Sequence, residues 1–110
     1  MSEEDRNQIQ QVLDRYAGAI VHKDMKQLRA VWPDIPKDQF EIMKDLGSKH
    51  KGVNVALTIT HISLLEGKED AVVKCKQVLQ YDGQTSEDNV TFYMGKLSTG
   101  WIINQIPRSN

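Results

Sequence analysis

The chain has a single cysteine, three prolines and no long apolar run, and these shortages exclude several classes of protein. Cys75 alone cannot form an internal disulfide, and it cannot supply the clustered thiolates of a cysteine-based zinc site. The first residues, MSEEDRN, are acidic, whereas a secretory signal is first basic and then apolar. No apolar stretch approaches the roughly 18 residues of a membrane-spanning helix. We therefore expect no disulfide and no membrane segment.

Neither sign of charge predominates, because 14 basic and 15 acidic side chains give a formal net charge of -1. Nucleic-acid-binding domains usually carry a basic surface, so we expect neither a nucleic acid nor a membrane as partner. A chain of 110 residues fits one domain, residues 1–110, with one core. If the chain is a complete protein, the sequence predicts a cytoplasmic location. If it is a domain of a longer protein, its location is unknown.

The first half of the chain has the spacing of three amphipathic helices. Ser2 can cap the first helix, and Asp24 can cap a second that Pro33 ends. Pro36 suits the start of a third helix, and Gly47 is expected to end it. The apolar stripe of the first helix consists of Ile9, Val12, Leu13, Tyr16, Ala17, Ile20 and Val21.

After residue 53 the apolar period changes from helical spacing to two, which is typical of strands. The segments VNVALTITHISLLE and AVVKCKQVLQYD are each one predicted strand, and NVTFYMGKLSTGWIINQI is a predicted hairpin around an STG loop. The sequence therefore predicts an α+β fold, with three N-terminal helices packed on one face of a sheet of at least four antiparallel strands.

The second face of this sheet is predicted to be apolar as well. If Trp101 and Ile103 face the helices, strand alternation places many apolar residues on the opposite side. Large exposed apolar patches mark association surfaces, so we expect a homodimer through this face. The alternative is a monomer whose outer apolar residues are scattered singly. The candidate dimer face consists of Ile62, Val72, Val78, Phe92, Met94, Ile102 and Ile106.

Two strings resemble those of a known superfamily. RYAGAIVHKDMKQLRAVW is similar to the first two helices of nuclear transport factor 2-like proteins, and KLSTGWIINQI is similar to their closing hairpin. This superfamily, also called the cystatin-like cone, includes ketosteroid isomerases and SnoaL-like polyketide cyclases. The resemblance implies that the helices pack on the concave face of a curved sheet, with a conical cavity between them.

Ketosteroid isomerases place a tyrosine in the first helix as an oxyanion donor, and the string DRYAGAI puts Tyr16 at the matching position. Their general base is a strand aspartate, whereas WPDIPKDQF places Asp34 and Asp38 in turn or capping contexts. No catalytic residue is therefore assigned. Packing of the Tyr16 ring in the core, with its hydroxyl near the cavity, is the favoured alternative to catalysis.

Several other side chains are expected to line the cavity. His61 continues the inward alternation of the first strand, and Tyr93 faces inward if the STG loop pairs Leu97 with Trp101. The alternative is that the third helix fills the cone. No metal site is predicted, because the three histidines lack the spacing of metal ligands. The candidate lining is Tyr16, Trp32, Phe40, Met43, His61, Gln77, Tyr93 and Gln105.

Two classes of function follow from these observations. The favoured one is a small ligand-binding or dimerisation module that has no catalytic acid–base pair and no cofactor. The alternative is a small isomerase, cyclase or dehydratase acting on a hydrophobic carbonyl compound, in which Tyr16 donates a hydrogen bond and His61 is the base.

Overall fold

The computed structural model describes residues 2–65 and 69–107. Three helices precede four strands, as the sequence predicts, and the strands form one curved antiparallel sheet in the order β1-β2-β3-β4. The α+β fold class is therefore confirmed. The elements are α1 (Glu3–Val21), α2 (Met25–Val31), α3 (Lys37–Lys49), β1 (Asn54–Leu64), β2 (Asp70–Tyr81), β3 (Gln84–Leu97) and β4 (Gly100–Gln105).

The helix boundaries follow from local side-chain chemistry. Ser2 Oγ accepts a hydrogen bond from the first turn of α1, and Asp24 Oδ1 accepts one from the first turn of α2. The sequence suggested that Gly47 ends α3, but this prediction is wrong, because the helix continues to Lys49. A Cβ at Gly47 would lie 3.0 Å from Lys23 Cγ, so this glycine permits close packing of α3 against the α1–α2 connection.

The core lies between α1 and the inner face of the sheet. Tyr16 of α1 packs edge-on against Phe92 of β3, with ring centroids 5.4 Å apart. Cys75 is buried in the same core, and its burial raises the pKa of the thiol to about 11, which makes it an inert apolar side chain. Ile9, Leu13, Leu28, Trp32, Val73, Met94 and Ile103 are also almost completely buried.

Phe92 and Met94 lie on the inner face of β3, so the prediction that they belong to the outer face is wrong. Both are almost completely buried, at 0% and 1% exposure. The reason is the β3–β4 loop, in which Leu97 pairs with Gly100 and not with Trp101. A shift of one residue in the register exchanges the two faces of a strand.

The same shift moves Tyr93 to the outer face, where it is 39% exposed. A register shift between Tyr93 and Met94 leaves Asn104 as an extra residue in β4 and sets Gln105 opposite Tyr93. The expectation that the Tyr93 side chain faces the helices is therefore wrong, whereas Gln105 is among the residues that line a cleft beside the α2–α3 connection.

A second bulge, in β1, reverses the expected faces of His61 and Ile62. Ile59 pairs with Cys75, but His61 pairs with Lys74, so Thr60 is the extra residue. His61 is consequently exposed on the outer face, and Ile62 packs against the core. Both positions contradict the predictions from simple alternation.

The outer face is therefore less apolar than predicted. Ile106, another member of the candidate dimer face, also packs against the core. The members that stay on the outer face are Val72, Val78 and Ile102, each half-buried.

Candidate functional site

A cleft between α3 and the sheet brings together several of the predicted lining residues. Its volume is about 450 Å³, and we call it the Tyr16 cavity. Tyr16, Met43 and Gln77, three residues of the candidate lining, form part of its wall. The other lining residues are Gln39, Asn89, Val90, Thr91, Ile106 and Pro107.

Tyr16 contributes a neutral phenol to this wall. Its side chain is 2% exposed, and its ring contacts Phe92 and, at a centroid distance of 6.5 Å, Trp32. Burial raises the pKa of the Tyr16 hydroxyl well above its ordinary value, because the phenolate would lose its solvation. Tyr16 can therefore donate a hydrogen bond at neutral pH, but it cannot act as a base.

A second cleft adjoins the first, and we call it the Trp32 cavity. It has a volume of about 380 Å³ and lies between the α2–α3 connection and the end of β4. Trp32, Asp34, Asp38 and Gln105 are among its lining residues. The two cavities share three lining residues, Gln39, Ile106 and Pro107.

The indole of Trp32 carries an unpaired polar group. The side chain is 1% exposed, and within residues 2–65 and 69–107 its buried Nε1 has no hydrogen-bond acceptor. Leaving a buried donor unpaired costs about 1–3 kcal/mol. By contrast, Trp101 Nε1 donates to Asp5 Oδ1 over 3.2 Å.

His61 does not join this site. Its Nε2 lies 2.9 Å from Ser63 Oγ on the outer face of the sheet, and it lines a separate cleft beside the N-terminal end of α1. Tyr16 and His61 therefore do not line one cavity, and His61 is not placed to act as a base with Tyr16 as its donor.

Comparison with known proteins gives structural matches only. No family model matches the chain, and no curated protein matches it. Bd1075 of Bdellovibrio bacteriovorus is similar in structure, with a TM-score of 0.78 and 17% identity over 99% of this chain and 44% of that chain. This chain thus spans less than half of the Bdellovibrio chain.

Two further matches cover nearly the whole of both chains. A nuclear transport factor 2-like protein of unknown function from Shewanella oneidensis has a TM-score of 0.71 and 16% identity, over 92% of this chain and 95% of that one. A protein from Streptomyces avermitilis, described as a proposed dehydratase of the same family, has a TM-score of 0.66 and 13% identity, over 99% and 100%. This chain has the nuclear transport factor 2-like fold. The predicted resemblance is confirmed at this level.

Within the nuclear transport factor 2-like fold, α3 partly fills the space beside the sheet. Phe40 lies under the guanidinium of Arg29, which is 4.0 Å from the ring centroid, and it packs against the core. It lines neither the Tyr16 cavity nor the Trp32 cavity. Gln39 lines both, and its position four residues before Met43 on α3 is the sequence signal that could have identified it.

The distribution of charge differs between the two cavities of this nuclear transport factor 2-like fold. The Tyr16 cavity has no charged side chain in its described lining, whereas Asp34 and Asp38 line the Trp32 cavity. No group of three or more potential metal ligands occurs in the part of the chain that the structure describes. A search of the same residues finds no helix that is long and apolar enough to cross a membrane.

Proposed function

We propose that this chain is a binding module for a small, largely apolar molecule held in the Tyr16 cavity. The observation that supports it is the wall of this cavity, which combines a buried neutral phenol with apolar and amide side chains. Its volume of about 450 Å³ lies within the usual range of small-molecule sites, roughly 300–1,000 Å³. Apolar surface supplies affinity, and the phenol and amides orient a polar group of the ligand.

Binding is favoured over catalysis because the wall holds no acid or base that works near neutral pH. Acid–base catalysis needs a titratable group within hydrogen-bond reach of the substrate proton. The described lining contains Tyr16, which burial keeps neutral, together with amides, a threonine and apolar residues.

The enzymatic alternative, an isomerase, cyclase or dehydratase acting on a hydrophobic carbonyl compound, is supported by the structural similarity to the Streptomyces avermitilis protein. It would need a base other than His61. Asp34 and Asp38 line the Trp32 cavity, which shares lining residues with the Tyr16 cavity, and they are the carboxylates that this alternative would use. Turnover of a carbonyl compound that is abolished by Asp34→Asn would favour this alternative.

The binding proposal can be tested by nuclear magnetic resonance with acetophenone as the probe. We expect saturable shifts of the Met43 methyl and Gln77 side-chain amide signals, because both residues line the cavity. Met43→Trp should fill the cavity and abolish these shifts at Gln77. Ile42→Trp is the matched control, since Ile42 is on the same helix and 53% exposed. Unaltered binding in Met43→Trp, or no saturable shift in the wild type, would overturn the proposal.

We also propose a homodimer through a smaller outer-face patch than the sequence suggested. Val72 pairs with Tyr93, and Ile102 pairs with Gly95 two residues further along β3, so the apolar side chains of this patch are neighbours. Tyr93 is 39% and Leu97 51% exposed, and exposed apolar clusters of this kind favour association. The patch consists of Val72, Tyr93, Leu97 and Ile102.

Light scattering tests the homodimer directly. We expect a mass of twice 12.5 kDa at tens of micromolar and the monomer mass after Tyr93→Glu, which places a charge in the middle of the patch. Lys76→Glu is a control on the same face but outside the patch. A monomer mass at every concentration of the wild type contradicts the proposal.

A further inference from the structure

Half of β3 has a strand on one side only. β4 pairs with β3 from Tyr93 to Leu97, whereas β2 pairs with nearly the whole strand. Within the described chain, residues 84–91 are therefore paired with β2 alone. β4 ends at Gln105, and Pro107, which follows it, has no N–H with which to continue the ladder. Alternate residues of a strand direct their N–H and C=O to opposite sides, so this edge leaves backbone donors and acceptors open.

The Tyr16 cavity borders this open edge. Its wall includes Asn89, Val90 and Thr91, three consecutive residues of β3. Consecutive side chains of a strand point to opposite faces, so a cavity that contacts all three residues reaches the edge of the strand. Met43 of α3 lines the same cavity, which therefore lies between α3 and the edge. A chain laid along residues 84–91 would pass beside the cavity.

Two neighbouring side chains of the edge define what a partner has to offer. Val90 packs against the core on the inner face, and Asp88 is on the same face, because β2 and β3 pair without a bulge here. Asp88 is exposed and has no hydrogen bond or ion pair among the described residues, whereas Glu87 is paired with Lys76 over 2.9 Å. Residues 84–91 include no basic residue, so the same edge of a second copy offers Asp88 no counter-charge.

We propose that the open edge of β3 binds an extended peptide as an additional antiparallel strand. The peptide places an apolar side chain in the Tyr16 cavity, opposite Val90, and a lysine or arginine two residues later, opposite Asp88. Directly opposed residues of paired strands share a face, and opposite charges at such positions attract. Strand addition takes its affinity from main-chain hydrogen bonds and its specificity from pockets for alternate side chains.

This inference rests in part on the proposed function, because the apolar side chain occupies the same Tyr16 cavity. A volume of about 450 Å³ is ample for one branched aliphatic side chain. The inference goes further in naming the ligand class. The apolar group is carried by a peptide backbone that pairs with β3, and a basic residue accompanies it.

Amide hydrogen exchange tests the added strand, with the peptide acetyl-Thr-Thr-Leu-Thr-Lys-Thr-Thr-amide as the probe. Without the peptide, we expect slow and fast amides to alternate along residues 84–91, because only every second N–H donates to β2. Saturating peptide should slow the fast amides by roughly tenfold or more. The amides of β1, the other edge of the sheet, should be unchanged.

Matched peptides and variants isolate the two side-chain contacts. Asp88→Lys should weaken binding of the probe roughly fivefold and strengthen, by a similar factor, binding of a peptide with glutamate in place of its lysine. Glu41→Lys makes the same change of charge at an exposed position of α3 outside the cavity and should leave both affinities unaltered. Alanine in place of the peptide leucine should weaken binding, because less apolar surface enters the cavity.

Methylation of the peptide nitrogens tests the strand geometry. Only every second N–H of an added strand faces β3. Methyl groups placed on successive nitrogens of the probe should therefore alternate between loss and retention of binding. An equal effect at every position, or no protection of residues 84–91 at millimolar probe, would overturn the proposal. Affinities for the lysine and glutamate peptides that are equal in the wild type and in Asp88→Lys would also overturn it.

The remaining outcomes separate this inference from the proposed function. If acetophenone shifts Met43 and Gln77 while the probe leaves residues 84–91 unprotected, the small-molecule module stands and the peptide site falls. If the probe protects residues 84–91 and acetophenone affects neither side chain, the peptide site stands and the small-molecule function falls. Protection that appears without peptide and grows with protein concentration would show that a second copy occupies the edge, and would overturn the proposal.

Discussion

Lys96 Nζ lies 2.9 Å from Asp5 Oδ1 and ties the first turn of α1 to the end of β3. The same oxygen accepts from Trp101 Nε1, so one carboxylate joins the helix to both strands of the last hairpin. The hydrogen bond from Lys96, with smaller contributions from Trp101 and Ser2, lowers the pKa of Asp5 below its ordinary value. The Asp5 carboxylate therefore stabilises the packing of α1 on the sheet only while it is ionised.

We predict that Asp5→Asn lowers the thermal midpoint at pH 7 and that the difference from the wild type vanishes on acidification. The folded-state pKa of Asp5 is depressed. Its stabilisation is therefore fully present above the unfolded-state pKa, about 3.9, and is lost as the pH falls through the lower folded-state value. Thermal unfolding from pH 7 to pH 2 checks this. Asp14→Asn, on the same helix, is the control, and equal midpoints for the two variants at pH 7 would contradict the prediction.

The register of β3 predicts losses of stability of very different size for two adjacent aromatic residues. Phe92 is 0% exposed and packs on Tyr16, so Phe92→Ala should lower the free energy of unfolding by about 3–5 kcal/mol. Tyr93 is 39% exposed on the outer face, so Tyr93→Ala should cost far less, about 1 kcal/mol or below. Urea unfolding of both variants measures the difference. A greater loss in Tyr93→Ala would mean that the faces of β3 are reversed.

The fold was predictable because its signals are local. The apolar stripe of α1 and the caps at Ser2 and Asp24 depend on residues within a few positions of each other. The change to alternating β-branched residues after residue 53 likewise identifies β1 without reference to the rest of the chain. These features determine the order of the elements, which is enough for the fold class.

The lining of the site was less predictable, because the face of a strand residue depends on how many residues each loop and bulge contains. The extra residues Thr60 and Asn104 and the pairing of Leu97 with Gly100 each reverse an alternation pattern. No local preference marks them in the sequence. The orientation of Tyr16 and Met43, by contrast, follows from helical spacing. The sequence predicted both as lining residues, and both line the Tyr16 cavity.

Two glycines are expected to respond in opposite directions to alanine. Gly100 begins β4 with φ 125°, a conformation that is strained for any residue with a side chain, so Gly100→Ala should destabilise by about 1–3 kcal/mol. Gly18 lies inside α1, and a Cβ there meets no atom within 4 Å, so Gly18→Ala should stabilise by about 0.5–1 kcal/mol. Urea unfolding of both variants tests the pair, and a change of the same sign in both would count against this backbone geometry.

Asp82 holds the loop after α3 against the β2–β3 turn. Its Oδ1 accepts from the backbone N of Lys51 over 2.8 Å, and its Oδ2 lies 2.5 Å from His50 Nδ1. The His50 ring also packs edge-on against Tyr81, with centroids 4.8 Å apart. The hydrogen bond from His50, followed by that from Lys51, lowers the pKa of Asp82 below its ordinary value.

We predict that Asp82→Ala accelerates amide hydrogen exchange at Lys51, because it removes the carboxylate that accepts from this N–H. His50→Ala should have a smaller effect, since it leaves the bond between Lys51 and Asp82 in place. In the wild type, we expect the protection of the Lys51 amide, corrected for intrinsic exchange, to depend on pH. It should persist above the unfolded-state pKa of aspartate, about 3.9. It should decline as the pH falls through the lower folded-state pKa of Asp82. Protection that is identical in Asp82→Ala and the wild type would show that the backbone bond from Asp82 N to Lys51 O holds the loop by itself.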